Sequence, residues 1–373
     1  MDLPSLEDLG DLTGKNVLVR TDFNVPIDSG SITDDFRIRA ALPTLKYLID
    51  AGANVTACSH LGRPDGIPEE RYGMGPIRER LKELVPDVAL LENLRFNTGE
   101  VENDQSFVDQ LVSGQDAFVN DAFGASHRAH ASIVGPPQSL PSAAGRLLSK
   151  EVEVLTALRN SPRRPFVAVL GGSKVSDKIG VIETLLDVVD QLIIGGGMCF
   201  TFLKAMGHQV GSSLLEKDHL AFCKDLMDSG APIRLPHDIT VMDSGGKIGD
   251  PTAGGVIRQV GVEIQEGWMG LDIGPGSAAE FGDQIAESRT VLWNGPMGVF
   301  EDDRFAAGTK HIALCMAENN AAFTVIGGGD SAAAVKKFEL ENQMSHVSTG
   351  GGASLELIEK GDLPGLIALR GLS

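Results

Sequence analysis

The chain has 373 residues, more than one ordinary core organises, so two domains of roughly 150–200 residues are expected. With 42% apolar residues, 45 glycines and few aromatics, the composition is globular and rich in tight turns, which excludes disordered and fibrous classes. The 51 acids against 32 bases leave a net charge of −19, a surface that repels nucleic acid and anionic membranes.

In chain order, short apolar runs alternate with amphipathic stretches, the signature of an α/β fold. Strands are expected at 16–19, 54–57, 88–91 and 117–119 in the first half, with a helix over 37–50 closed by Gly52. A helix over 150–159 is stopped by Ser161-Pro162-Arg163-Arg164-Pro165, which marks a domain boundary near 150–165. Strands follow at 166–170, 191–194, 290–293 and 324–326, with helices over 177–186, 197–206, 331–340 and 354–360. Residues 240–270 read as a β-rich or irregular excursion.

No run of about 18 apolar residues suggests a membrane span. The acidic start MDLPSLEDLGDL lacks the basic and apolar regions of a signal peptide, so a cytoplasmic protein is expected. Cys58, Cys199, Cys223 and Cys315 have neither metal nor redox spacing and read as small hydrophobes or reduced thiols. The acidic excess suits a salt-adapted protein, because salt screens self-repulsion; the plainer alternative is an acidic cytosolic protein.

Almost every strand runs into a chemically loaded loop, and in parallel sheets ligands bind beyond the carboxyl ends of the strands. In the first half these loops carry Asp22 and Asn24, then His60 and Arg63, then Arg95, then His127, Arg128 and His130, with Arg37 opening a helix. This is the local positive island that an acidic protein needs for an anionic substrate, and guanidinium forks suit phosphate and carboxylate. The alternative is that these side chains pair structurally with Asp22, Glu92 and Asp121. His127 and His130 lack the neighbours of a zinc set.

The second half carries glycines instead: Gly171-Gly172-Ser173-Lys174, Gly195-Gly196-Gly197, Asn294-Gly295-Pro296, Gly327-Gly328-Gly329-Asp330-Ser331 and Gly350-Gly351-Gly352. Glycines let backbone N–H groups approach a phosphate or a flat base. Lys174 and Lys178, four apart, are expected one helical turn from each other and able to contact phosphate together. Asp330 is a candidate magnesium ligand. No P-loop, dinucleotide fingerprint or nucleophile elbow is present. One basic half and one glycine half suit two anionic ligands.

The strings VRTDFNVP, RIRAALPTL, SHLGRP, ENLRF, FGASHRAHAS, GGSKVSDKI, GGGM, WNGPMGVFE, GGGDS and STGGGAS resemble the phosphoglycerate kinase family in order and spacing, from about residue 15 to 360. The resemblance implies two Rossmann-like domains, each a mostly parallel sheet flanked by helices, with an interdomain cleft. Residues 1–150 would form the acid-substrate domain and 151–345 the nucleotide domain, with 346–373 returning to the first.

It further implies reversible phosphoryl transfer between 1,3-bisphosphoglycerate and MgADP, giving 3-phosphoglycerate and MgATP, with domain closure. Asp22, Asn24, Arg37, His60, Arg63, Arg95 and Arg128 would hold the acid substrate. Lys174, Lys178, Gly195, Gly196, Asn294, Glu301, Asp330 and Ser331 would hold the nucleotide, with Mg2+ at Asp330. Arg37 and Lys174 would sit at the transferring phosphoryl, near amides of Gly328, Gly329, Gly351 and Gly352. A monomer is implied.

Arg39, Ser126 and Ser173 depart from the common pattern. Two other classes remain in view: an NAD-dependent dehydrogenase, which the missing fingerprint argues against, and a non-catalytic relative, which loss of Arg37, Lys174 or Asp330 would favour. All three are present.

Overall fold

The structure is a computed structural model that describes residues 2–371. The chain divides into two compact units: residues up to Thr156 together with those from Gly352 onward, and Ala157–Gly351. Each division falls six residues after the boundary read from sequence. The first does so because the helix Arg146–Asn160 continues past residue 150. The second does so because His346–Val347 pairs as an edge strand with the second unit's sheet.

The first unit contains β1 (Asn16–Arg20), a hairpin of β2 (Ile27–Asp28) and β3 (Ser31–Ile32), β4 (Asn54–Cys58), β5 (Ala89–Leu90), β6 (Ala117–Asn120) and β7 (Ser142–Ala144). Five of these form a parallel sheet in the order β5-β4-β1-β6-β7. The central β1 and β6 are buried on both faces, which is why they read as unbroken apolar runs. The helix Phe36–Asp50 packs Ile38, Ala41, Leu45 and Leu48 into this core, at the spacing of one helical face.

The chain's last helices, Gly352–Lys360 and Pro364–Leu369, also belong here. The Gly365 N–H donates to Ser126 O at 2.9 Å, and a Cβ on Gly365 would lie 2.9 Å from Ile133. Ser126 uses its hydroxyl to donate to Ala122 O and accept from Asn120, so it ties the loop after β6 to itself. Arg39 turns aside to pair with Asp35.

The second unit contains β8 (Phe166–Leu170), β9 (Gln191–Ile194), β10 (Ile233–Arg234), β11 (Asp238–Asp243), β12 (Ile257–Gly261), β13 (Trp268–Ile273), β14 (Thr290–Asn294), β15 (Phe323–Gly327) and β16 (His346–Val347). Six form a parallel sheet, β10-β9-β8-β14-β15-β16. From β8 the chain winds outward one way through β9 and β10, then restarts at β14 and winds the other way. The reversal places a switch point at the carboxyl ends of β8 and β14.

The excursion expected at 240–270 is an antiparallel sheet, β12-β11-β13, with a register shift between Thr240 and Val241. Helix ends differ from the sequence reading by a few residues. The segment expected as a helix from 177 opens as a 3-10 turn, Ser176–Lys178, before the α-helix Ile179–Leu186. Among the described residues no helix is long and apolar enough to cross a membrane. Cys58, Cys199 and Cys223 are buried free thiols, and Cys315 is partly exposed.

Candidate active site

In the first unit, three loops at the carboxyl edge of the sheet are laced together by polar side chains. Asp22 Oδ2 accepts from Arg37 at 3.0 Å, and the same guanidinium reaches Asn24 O at 3.4 Å. Asn24 Oδ1 accepts from the Gly62 N–H at 2.9 Å, and Gly62 O accepts from Arg95 at 2.6 Å. Gly62 has φ +62°, and a Cβ there would strike the Tyr72 ring at 2.2 Å, so the tight turn that aims its two backbone groups requires glycine. Asn93, which sequence reasoning passed over, pins the β4 and β5 loops: its amide donates to Leu61 O and Tyr72 O and accepts from the Leu61 and Arg95 N–H groups.

Beside this lacing lies a cavity of about 370 Å³ lined by Arg63, Arg95, Arg128 and His130, with Asp65 and Glu102 among its other walls. The structure thus brings together three of the arginines singled out from sequence. Among the described residues Arg63, Arg95 and Arg128 form no salt bridge, while Arg37 pairs with Asp22. Among these arginines, structural pairing with an acid therefore accounts for Arg37 alone. Glu92 pairs with Arg78, and Asp121 accepts from the Leu147 and Leu148 N–H groups at the start of a helix.

The histidines of this edge are neutral at pH 7. Burial, with Arg20, Arg95, Arg37 and His130 around it, holds His60 well below its ordinary value. Burial, with Arg95, Arg20 and Arg128, brings His130 down to about 4, and burial also lowers His127. Positive charge in the cavity therefore comes from guanidinium groups, and the imidazoles can serve as neutral donors.

In the second unit, the glycines fall into two kinds. At the switch point the loops after β8, β9 and β14 pack closely, backbone on backbone at Gly171 and Gly196 and backbone on the Met297 side chain at Gly195. A Cβ on Gly171 would lie 2.1 Å from Pro296 O, one on Gly196 2.6 Å from Gly172 N, and one on Gly195 2.5 Å from Met297 Sδ. Loop packing thus accounts for Gly195 and Gly196 being glycines. Gly329, like Gly352 at the start of the first unit's returning segment, meets nothing within 4 Å, and neither has positive φ. Gly351 is equally open but has φ +52°, so conformation alone favours glycine there.

The loop after β15 faces the end of β14. A Cβ on Gly328 would sit 2.8 Å from Asn294 Nδ2, a buried donor with no hydrogen-bond partner. Asn294 Oδ1 takes the Lys178 ammonium. Burial brings Lys178 down to about 8, against the pull of Asp330 and Asp177. Ser331 is fully buried, and its hydroxyl accepts from the Gly295 N–H at 2.6 Å, so it fixes the neighbouring loop.

The expectation that Lys174 and Lys178 share a helical turn is corrected. Lys174 lies in the loop before the 3-10 turn, exposed, while Lys178 turns inward onto Asn294. The (i, i+4) geometry does not apply because the helix starts only at Ile179.

A cavity of about 290 Å³ opens next to these loops. Phe200, Leu214, Ile239, Met269 and Met297 give it apolar walls, Gly172, Gly196 and Gly298 give backbone edges, and Asp272, Glu301 and Asp330 give carboxylates. Such a slot fits a flat, apolar-faced group with polar edges. Asp272 is a second residue that sequence reasoning missed. Its carboxylate accepts from the Gly308 N–H at 2.7 Å, and burial pushes it up to about 7.

Among the described residues no three His, Cys, Asp or Glu side chains group to hold a metal. The set that fits a divalent cation is Asp330 with oxygens brought by a phosphate ligand. This is how Mg2+, which keeps few protein ligands, is commonly held. The orphaned Asn294 amide beside it suits the same phosphates.

Comparison with known proteins agrees over nearly the whole chain. A family model described as phosphoglycerate kinase matches residues 6–89 and 85–361. A phosphoglycerate kinase of Rubrobacter xylanophilus is 51% identical, over 99% of this chain and 98% of its own. One from Salinispora arenicola is 50% identical, over 99% and 100%. Among solved structures, the phosphoglycerate kinase from Coxiella burnetii superimposes with a TM-score of 0.88 at 38% identity, covering 99% of both chains. That from Pyrococcus horikoshii gives 0.85 at 31% identity, covering 99% of this chain and 98% of its own.

Proposed function

Because this chain belongs to the phosphoglycerate kinase family, we propose that its two units divide the work of one reaction between them. The enzyme is a phosphotransferase that passes a phosphoryl group reversibly between 1,3-bisphosphoglycerate and ADP, giving 3-phosphoglycerate and ATP. Its substrates are small molecules, and the family's nucleotides act with Mg2+.

The acid substrate is assigned to the first unit. Arg63, Arg95 and Arg128 receive its phosphate, His60 donates to it, Asp22 and Asn24 hold its hydroxyl, and Arg37 meets its reacting carboxyl end. The nucleotide is assigned to the second unit, with the base in the apolar slot and Glu301 holding the nucleotide from the slot's wall. Lys174, Lys178, Asn294 and the amides of Gly328, Gly329 and Gly351 receive the phosphates, with Ser331 holding the adjoining loop. Gly195 and Gly196, whose N–H groups are given to Leu170 O and Met297 O, shape the floor of the site instead, and Gly352, the first residue of the segment that belongs to the first unit, offers a further amide. Asp330 holds Mg2+, which when bound neutralises phosphate charge.

The observation that carries this reading is the convergence on one cavity of three arginines that form no salt bridge among the described residues, in a protein whose net charge is −19. An acidic surface repels anions, so a concentrated basic cavity has a specific anion to bind.

The chemistry explains the absence of a general base from this assignment. In the direction of 1,3-bisphosphoglycerate synthesis the nucleophile is a carboxylate, already ionised at pH 7 with a pKa near 4. What remains is in-line placement, neutralisation of the phosphoryl oxygens and exclusion of water. Closure of one unit on the other, a cytoplasmic monomer without nucleic-acid partners, and adaptation to high salt complete the proposal.

Calorimetric titration of Arg63→Ala tests the division of labour. 3-Phosphoglycerate binding should weaken at least tenfold while MgADP binding stays within about twofold, on the scale of one lost charged hydrogen bond. Equal weakening of both ligands would contradict it.

A further inference from the structure

Behind the acid-substrate site lies a buried charge network that the assignment above does not use. Arg20 ends β1, and Glu100 lies in the short helix Gly99–Glu102; both side chains are fully buried, with Arg20 Nη2 3.7 Å from Glu100 Oε1. Ser132 closes the network. It gives its N–H to Glu100 Oε2 at 3.0 Å and its hydroxyl proton to Glu100 Oε1 at 2.7 Å, and it accepts from Arg20 Nε at 2.7 Å. Arg20 Nη2 then reaches His60 Nδ1 at 3.2 Å. A guanidinium has donors only, so His60 Nδ1 is the acceptor and the ring carries its single proton on Nε2.

We propose that Glu100 is a positioning residue for the acid-substrate site: with Ser132 it anchors Arg20, and Arg20 locks His60 as the neutral Nε2–H tautomer, a fixed donor for an anionic oxygen. The inference rests on the assignment of His60 to acid-substrate binding. The charged and titratable groups that face His60 are Arg20 from β1, Arg95 from the 94–96 turn, Arg37 from the helix 36–50 and His130 from the loop before residue 131; the three guanidinium groups, and His130 where it is protonated, oppose protonation of His60. Glu100 meets the same Arg20 Nη2 that reaches His60, and it compensates the buried guanidinium while forming no hydrogen bond to His60 among the described residues. His130 Nδ1, 3.8 Å from Glu100 Oε1, lies on the edge of the same network. A buried cation without such a partner swings toward water or draws water in. Loss of Glu100 therefore frees the His60 ring rather than removing a contact to substrate.

Nitrogen-15 NMR of the histidine rings in the whole protein tests this. In the wild-type protein His60 should show a protonated Nε2 and an unprotonated Nδ1, with no titration between about pH 5 and 8. A protonated Nδ1, or titration near the ordinary histidine value, overturns the proposal. Added 3-phosphoglycerate should shift the His60 signals. If they do not move, the site assignment fails and the proposal with it, an outcome separate from the tautomer read without ligand. In Glu100→Gln the tautomers should mix and KM for 3-phosphoglycerate should rise ~10-fold, with KM for MgATP within about twofold. A Glu100→Gln protein with unchanged tautomer and unchanged KM overturns it. The wild-type spectrum decides the matter should that variant not fold.

Discussion

Gly329→Ala separates a glycine kept for a ligand from one kept for packing. Gly329 is the first residue of the helix Gly329–Lys337, and a Cβ built on it meets nothing within 4 Å. Its backbone is not in the positive-φ region, so alanine fits without strain. Replacing such a glycine lowers the entropy of the unfolded chain and stabilises by ~0.4–1 kcal/mol. For a unit of this size that is a Tm rise of roughly 1–3 °C.

On the proposed assignment the same methyl group stands where a phosphoryl oxygen approaches the amide, and loss of one such donor costs about 10²–10³ in kcat. Stability and activity should therefore move in opposite directions. Gly171→Ala is the control, because its Cβ would lie 2.1 Å from Pro296 O and the loops of the switch point must part, so Tm should fall. Scanning calorimetry with steady-state kinetics reads both. A Gly329→Ala protein with lowered Tm and intact kcat would refute the reasoning.

Arg37→Ala and Lys174→Ala should each raise the barrier by about 2–4 kcal/mol, the scale of a lost transition-state donor; steady-state kinetics checks this, and near-normal turnover removes either residue from the phosphoryl site. Asp272 has a folded-state value of about 7, above its unfolded value, so the folded state binds the extra proton and this group's stability contribution falls as pH rises from about 4 to 7. Asp272→Asn should flatten that part of the pH–Tm curve, and an unchanged slope counts against a buried, proton-binding carboxyl. Salt at about 1 M shortens the screening length to roughly 3 Å, so Tm should rise between low salt and molar KCl for a chain of charge −19; a fall would discard the salt-adapted reading.

The strands at the centre of both sheets were legible because burial on two faces leaves an unbroken apolar run, as in Phe166–Leu170 and Thr290–Asn294. The antiparallel sheet was not, because β12 exposes Ile257, Arg258 and Gln259 in succession and shows neither alternation nor an apolar run. Site residues on strand-end loops could be named from type and place. What could not be read was which of them burial would change. Nothing local distinguishes Glu100 from its neighbour Glu102, yet only the first meets Arg20. Arg20 did carry a signal, as a charge at the end of an apolar strand. Gly196 and Gly329 look alike in sequence, and only the atoms around them tell a packed glycine from an open one. The inward turn of Lys178 likewise depends on Asn294, more than a hundred residues away.

The most direct test of the account is a coupled assay of the purified protein with 3-phosphoglycerate and MgATP, run at low salt and at about 1 M KCl. ADP formation that depends on 3-phosphoglycerate is the predicted result, with the greater rate in KCl. A folded protein that forms no ADP in either condition would contradict the assignment of phosphoryl transfer to this chain.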